Sequence, residues 1–233
     1  MKNKGAMLDL FGTLKKQSGG LSLVKRHSVY SQETCGSHKT KRGAMFGLDA
    51  RIALAIFGAL SVISGAALYS AIQNSKVVSL ITDLSETTKA VEAYSLDVGS
   101  LPTLSTSKYE VGELVADINT VKGWNGPYLS YEQCSSDKTC LNHPNYTVLQ
   151  VREYTDAGFG GKQGVDQASP SMCTATNCFL YVVQYGLTPD LADAIDEYID
   201  GTKDRKNGKV RVSIDSSDNS SVFIKEFSTL LFK

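Results

Sequence analysis

Residues 52–72 read IALAIFGALSVISGAALYSAI, 21 positions without a charged side chain. At about 1.5 Å per residue a helix of that length covers about 30 Å, the thickness of a bilayer's hydrocarbon core. A core helix of a water-soluble domain ordinarily keeps a polar face, and this stretch has none. It also exceeds the apolar centre of a secretory signal, which runs about 7–15 residues. The stretch reads as a single membrane-spanning helix.

Upstream, the charge balance sets its orientation. The 233 residues carry 24 Lys and Arg against 24 Asp and Glu, but residues 1–43 hold nine of the basic side chains and only Asp9 and Glu33. That leader is therefore +7 and the remainder −7. A basic flank before the span keeps 1–43 in the cytoplasm and exports the acidic part. With 42% hydrophobic residues and no basic excess, the chain reads neither as a disordered protein nor as a nucleic-acid binder. Ser61, Ser64, Ser70, Gly58 and Gly65 let a second helix approach closely in lipid.

Downstream, the pattern turns amphipathic. Val77, Leu80, Ile81, Leu84, Thr88, Val91 and Leu96 recur at helical spacings, with Lys76, Asp83, Glu86, Lys89 and Glu92 on the other face. Gly99 and Pro102 supply the stop. The spacing predicts one helix over 48–98 and three parts to the chain: a leader (1–43), a long N-terminal helix (44–98, spanning at 52–72) and an exported head (99–233).

The leader ending Lys41-Arg42-Gly43, the apolar helix that runs on as an amphipathic one, and the small exported head together resemble type IV pilins and type II secretion pseudopilins. Gly123-Trp124-Asn125-Gly126-Pro127-Tyr128-Leu129 is similar to the Trp-x-Gly-Pro-Tyr element of major pseudopilins. Residues 191–211, LADAIDEYIDGTKDRKNGKVR, resemble a late helix–turn–strand of some pilins. The resemblance implies a pilin-like α+β fold and a structural rather than enzymatic role. It further implies cleavage by a prepilin peptidase at the inner membrane after Gly43, N-methylation of Ala44, and assembly with copies of itself and related pilins into a pilus or periplasmic pseudopilus. Cleavage after Gly47, leaving Leu48, is the second candidate. Most pilins carry Glu at the fifth mature position, for pairing with a neighbour's amine. Here cleavage after Gly43 places Leu48 there and Asp49 next to it. Asp49 is the candidate for that charge, and with Arg51 it reads equally as a flanking charge of the span.

Within the head, Tyr109 to Val121 reads as a short helix, 146–153 and 179–185 as strands, 155–171 as a long exposed loop, and 189–199 as a helix capped by Thr188. Strands over 209–215 and 221–232 complete an antiparallel sheet, one face on the long helix and the other toward solvent. Cys134, Cys140, Cys173 and Cys178 read as disulfides, with local pairs favoured among three connectivities, while Cys35 stays reduced in the leader. A zinc site suits their spacing poorly. No Walker loop, nucleophile elbow or H-E-x-x-H occurs, and Asp193, Asp196 and Glu197 read as a solvated helix face. No cofactor is expected beyond a candidate calcium turn at Asp200, Asp204 and Asn207, whose hard oxygens precede Gly208; the alternative is an ordinary polar turn. Tyr128, Tyr131, Tyr146, Phe159, Tyr181 and Tyr185 read as core and edge aromatics rather than a ligand platform.

Overall fold

The computed structural model describes residues 45–174 and 177–232. Compactness divides the chain after Ile52, and the described part of the first unit is the opening of one helix, α1 (Met45–Val98). Nothing in that stretch breaks a helix: it contains no proline. Its hydroxyls bond to carbonyls one turn back, Ser61 to Phe57 at 2.8 Å and Thr88 to Leu84 at 3.2 Å, so Ser61 keeps its hydrogen bond even in lipid. Gly99, at φ +84°, ends the helix by donating its N–H to the Ser95 carbonyl at 2.9 Å.

The two halves of α1 behave differently. Every residue from 49 to 72 is exposed. Beyond it, Val77, Leu80, Leu84, Thr87, Val91 and Tyr94 form a buried stripe at alternating spacings of three and four. Leu96, expected on that stripe, is 83% exposed. Five residues past Val91 lies about 140° around the helix, and Tyr94 and Ser95 take the inward positions instead.

The stripe rests on a nine-stranded sheet. Its strands are β1 (Leu104–Ser105), β2 (Lys108–Tyr109), β3 (Glu132–Cys134), β4 (Asp137–Asn142), β5 (Val148–Thr155), β6 (Gly161–Lys162), β7 (Cys178–Leu187), β8 (Val210–Ile214) and β9 (Ser220–Ser228). The order is β1-β2-β5-β7-β9-β8-β6, with β4 also on β5 and β3 on β4. α2 (Pro189–Asp200) starts on the Thr188 cap, whose hydroxyl accepts from Leu191 N at 3.4 Å, and ends at Gly201 in the left-handed region.

Strand alternation builds two cores. Val151, Val182, Ile224 and Val210 are register neighbours across β5, β7, β9 and β8, and they face α1 and α2. The sheet is α+β as expected but mixed, because β6 runs parallel to β8. Glycine makes that approach feasible: a Cβ on Gly160 would collide with the carbonyl oxygens of Arg205 and Val212.

The second face is not open to solvent as the sequence predicts. Tyr154, Phe159, Tyr181, Val183 and Phe223 form a buried cluster there. Phe159 comes from the supposed exposed loop and sits edge-to-face on Phe223 at 5.2 Å and Tyr181 at 5.4 Å. The loop is pinned over the face by the reciprocal Gly160–Ala168 backbone bonds. The helix predicted over 109–121 is also absent: β2 ends there and one 3-10 turn follows (Val111–Leu114). The chain instead wraps around the buried Glu113, whose carboxylate accepts from Tyr94 Oη, Thr103 N and Asn119 Nδ2.

Candidate functional site

The first candidate is the apolar surface of α1 itself. Leu54, Phe57, Leu60, Val62, Ile63 and Leu68 are all more than half exposed, so their own chain covers none of this band. The helix is long and apolar enough to cross a membrane. Asp49 and Arg51 stand exposed in its opening turns, and neither makes an ion pair among the described residues. Gly43 and Ala44 lie outside the described residues. Gly47 and Leu48 fall in the first turns of α1, and a Cβ on Gly47 would meet nothing.

The end of α1 is locked to the head by polar clasps. Tyr128 donates from its hydroxyl to Asp97 Oδ2 on α1 at 2.8 Å, while within the head Trp124 Nε1 donates to the Glu113 carbonyl at 2.7 Å. A Cβ on Gly126 would strike the rings of Trp124 and Tyr128, so the Trp-Asn-Gly-Pro-Tyr segment needs its glycine for packing. Burial and the Glu113 carboxylate push the Tyr94 hydroxyl up, which keeps it a donor. His143 is buried between Tyr131 and Tyr146, with ring centroids at 5.6 and 5.0 Å. Its Nδ1 accepts from Asn145 N at 3.1 Å and its Nε2 lies 3.5 Å from Asp83 Oδ2 on α1. It holds helix to head and borders no nucleophile in these contacts.

The cysteines pair locally, Cys134 with Cys140 and Cys173 with Cys178, each with Cα atoms 5.6 Å apart. The first bridge ties β3 to β4. The second lies beside the buried Glu153, which accepts from the Thr229 hydroxyl. Glu153, Cys173 and Cys178 bring one donor atom each within 4.8 Å of one another, but both sulfurs are already spent on the bridge.

The acidic helix differs most from its sequence reading. Asp193 forms a bidentate pair with Arg205 at 2.7 and 2.6 Å, and Glu197 lies 3.3 Å from Lys203. Asp196, read as solvated, is 0% exposed. Its spacing explains why: Ala192, Ile195 and Asp196 share the inward face of α2. The nearby Asp204 N–H donates to Thr202 O at 3.2 Å, and neither carboxylate oxygen of Asp196 has a hydrogen-bond partner of good geometry. Burial first, and the Asp200 carboxylate next, push its carboxyl up to about 6.

In the candidate calcium turn, Asp200 Oδ2 accepts from Val210 N at 2.9 Å. Asp204 accepts from Lys206 N at 3.1 Å and from Asn207 Nδ2 at 2.9 Å. The trio is engaged in holding the turn through these bonds.

Compared with known proteins, the chain matches no family model, no curated protein and no solved structure.

Proposed function

We propose that this chain is the precursor of a filament subunit of the type IV pilin and type II pseudopilin class. In this reading a prepilin peptidase removes the leader after Gly43, with Gly47 as the second position, and Ala44 becomes the methylated N-terminus. The subunit waits in the inner membrane with its head in the periplasm, then joins copies of itself and related pilins through α1. Asp49 supplies the charge that meets a neighbour's terminal amine, since a carboxylate in that setting needs a cationic partner.

One observation carries the proposal. A single unbroken helix leaves its first half wholly uncovered and builds its second half into the head's core. Such a helix needs lipid as a precursor and other helices once assembled, and the small residues at Gly58, Ser61 and Gly65 suit both. The test is N-terminal sequencing of the protein recovered from its native membranes. A start at Ala44 or Leu48 is the expected result; an intact residue 1 rejects the proposal.

A second reading has its own support in Leu48, which occupies the fifth mature position without a charge. It makes the chain an unassembled single-pass protein whose head binds a partner. Disulfide trapping through Phe57→Cys separates the two: a ladder of oligomers favours assembly, and monomer alone favours the second reading.

A further inference from the structure

Where α1 enters the head, it forms one wall of an open groove of about 950 Å³. Tyr69, Gln73 and Lys76 line it from the helix, and Tyr146, Thr188 and Asp190 from the head. Resting on the membrane-anchored reading of α1, we infer that this groove is a binding site for a zwitterionic aminophospholipid of the outer leaflet. The lipid's phosphodiester lies at Lys76 and its ammonium lies at Asp190.

Depth is the first argument. The uncharged run ends at Ile72, so Lys76 stands about 6 Å beyond it and Asp83 about 16 Å beyond it along a helix normal to the bilayer. A headgroup layer occupies about 5–8 Å on each side of the hydrocarbon core. The groove therefore opens at headgroup level. Tyr69, an exposed aromatic with a polar tip, marks the boundary from the hydrocarbon side.

Charge is the second. Lys76 and Asp190 line the same groove, yet neither makes an ion pair with the other or with any other described residue. A cation and an anion held apart across one cleft match a ligand that carries both signs. Asp83, on the same wall, lies beyond the headgroup layer and faces His143 Nε2 at 3.5 Å, so it takes no part. An anionic lipid would satisfy Lys76 and meet the Asp190 carboxylate. A choline headgroup would satisfy Lys76 but offer that carboxylate no N–H donor. The ethanolamine type satisfies both.

Continuity with the span is the third. Tyr69 and Ile72 are exposed on α1 on the hydrocarbon side of Lys76, which suits the glycerol backbone and the first methylenes of the chains. The span leads directly into the groove, so a lipid can bind here without leaving its leaflet.

The test uses the full chain, extracted in detergent and stripped of lipid. Short-chain phosphatidylethanolamine, phosphatidylcholine and phosphatidylglycerol are added separately, and adducts are counted by native mass spectrometry. The expected result is a one-to-one adduct that favours phosphatidylethanolamine. Lys76→Gln and Asp190→Asn should each weaken it about fivefold, the effect of one interfacial charge. Equal retention of the three lipids overturns the inference, as does insensitivity to both substitutions. A dimer that expels the lipid also overturns it, by assigning the groove to a second copy. Resistance to alkaline extraction from membranes is read in parallel. Its loss removes the anchored reading, whereas its persistence without lipid preference removes only the inference.

Discussion

Replacing Asp196 by Asn removes a charge from a buried position without changing the side chain's shape, and it should stabilise the head at neutral pH. The folded carboxyl is raised from 3.8 to about 6, chiefly by burial and then by Asp200, with Asp193 and Asp204 adding to it. Because the folded state holds this proton more tightly than the unfolded state, protonated Asp196 favours folding. That contribution is fully present below about pH 4, declines as pH rises toward about 6, and is gone above it. A rise of that size corresponds to at most about 3 kcal/mol. The Asn amide is as poorly hydrogen-bonded as the acid it replaces, so a net gain of about 1–3 kcal/mol at pH 7 is the realistic range. Near pH 4 the two proteins should unfold alike. The assay is urea unfolding of the full chain in mild detergent, followed by the near-ultraviolet dichroism of the head's tyrosines at several pH values. An Asn variant less stable than wild type at pH 7 refutes the reasoning. If a chelator also lowers wild type to the variant's level, Asp196 is ionised and holding a cation.

Two further outcomes follow from the packing. Phe159→Ala should cost about 3–5 kcal/mol in the same unfolding assay, because a fully buried ring leaves a cavity under a segment that looked like a loop. A loss below 1 kcal/mol would mean the segment does not cover the sheet. Replacing Cys134 and Cys140 together by Ser should cost about 2 kcal/mol, the loop-entropy value for so short a closure, and should leave the β5–β7–β9 centre intact by hydrogen exchange.

How much of this was readable from one sequence depended on element length and on what each face meets. α1 and α2 carry long, clean helical periods and the proper terminal residues, and both lie close to where the pattern places them. The strands β5, β7, β8 and β9 are long enough to show alternation. The strands β1, β2, β3 and β6 are two or three residues each, too short for a period, and exist because a neighbouring edge offers hydrogen bonds. The run Cys178–Leu187 is apolar on both faces, which signals that both are covered, but nothing local in it says that Phe159 does the covering. Asp196 was legible in principle. It shares a helical face with Ala192 and Ile195, and an acid on an apolar stripe is the signal of a buried carboxylate. Glu113 carried no such signal, because the burial that defines it is built by Tyr94, nineteen residues away, and by Trp124.

The placing of the polar clasps bears on how, under the proposed reading, one helix would serve two environments. Asp83 meets His143, Tyr94 meets Glu113, and Asp97 meets Tyr128, at heights separated by about 17 and 5 Å along α1. Each joins the helix to a different part of the head, so the helix cannot slide or turn without breaking all three, while the buried stripe from Val77 to Tyr94 supplies the apolar contact between them. The head is thus fixed to the helix by its own side chains and does not depend on whatever covers residues 49–72. Under the proposed filament reading, that independence would let the covering of the bare half be exchanged while the folded half keeps every contact.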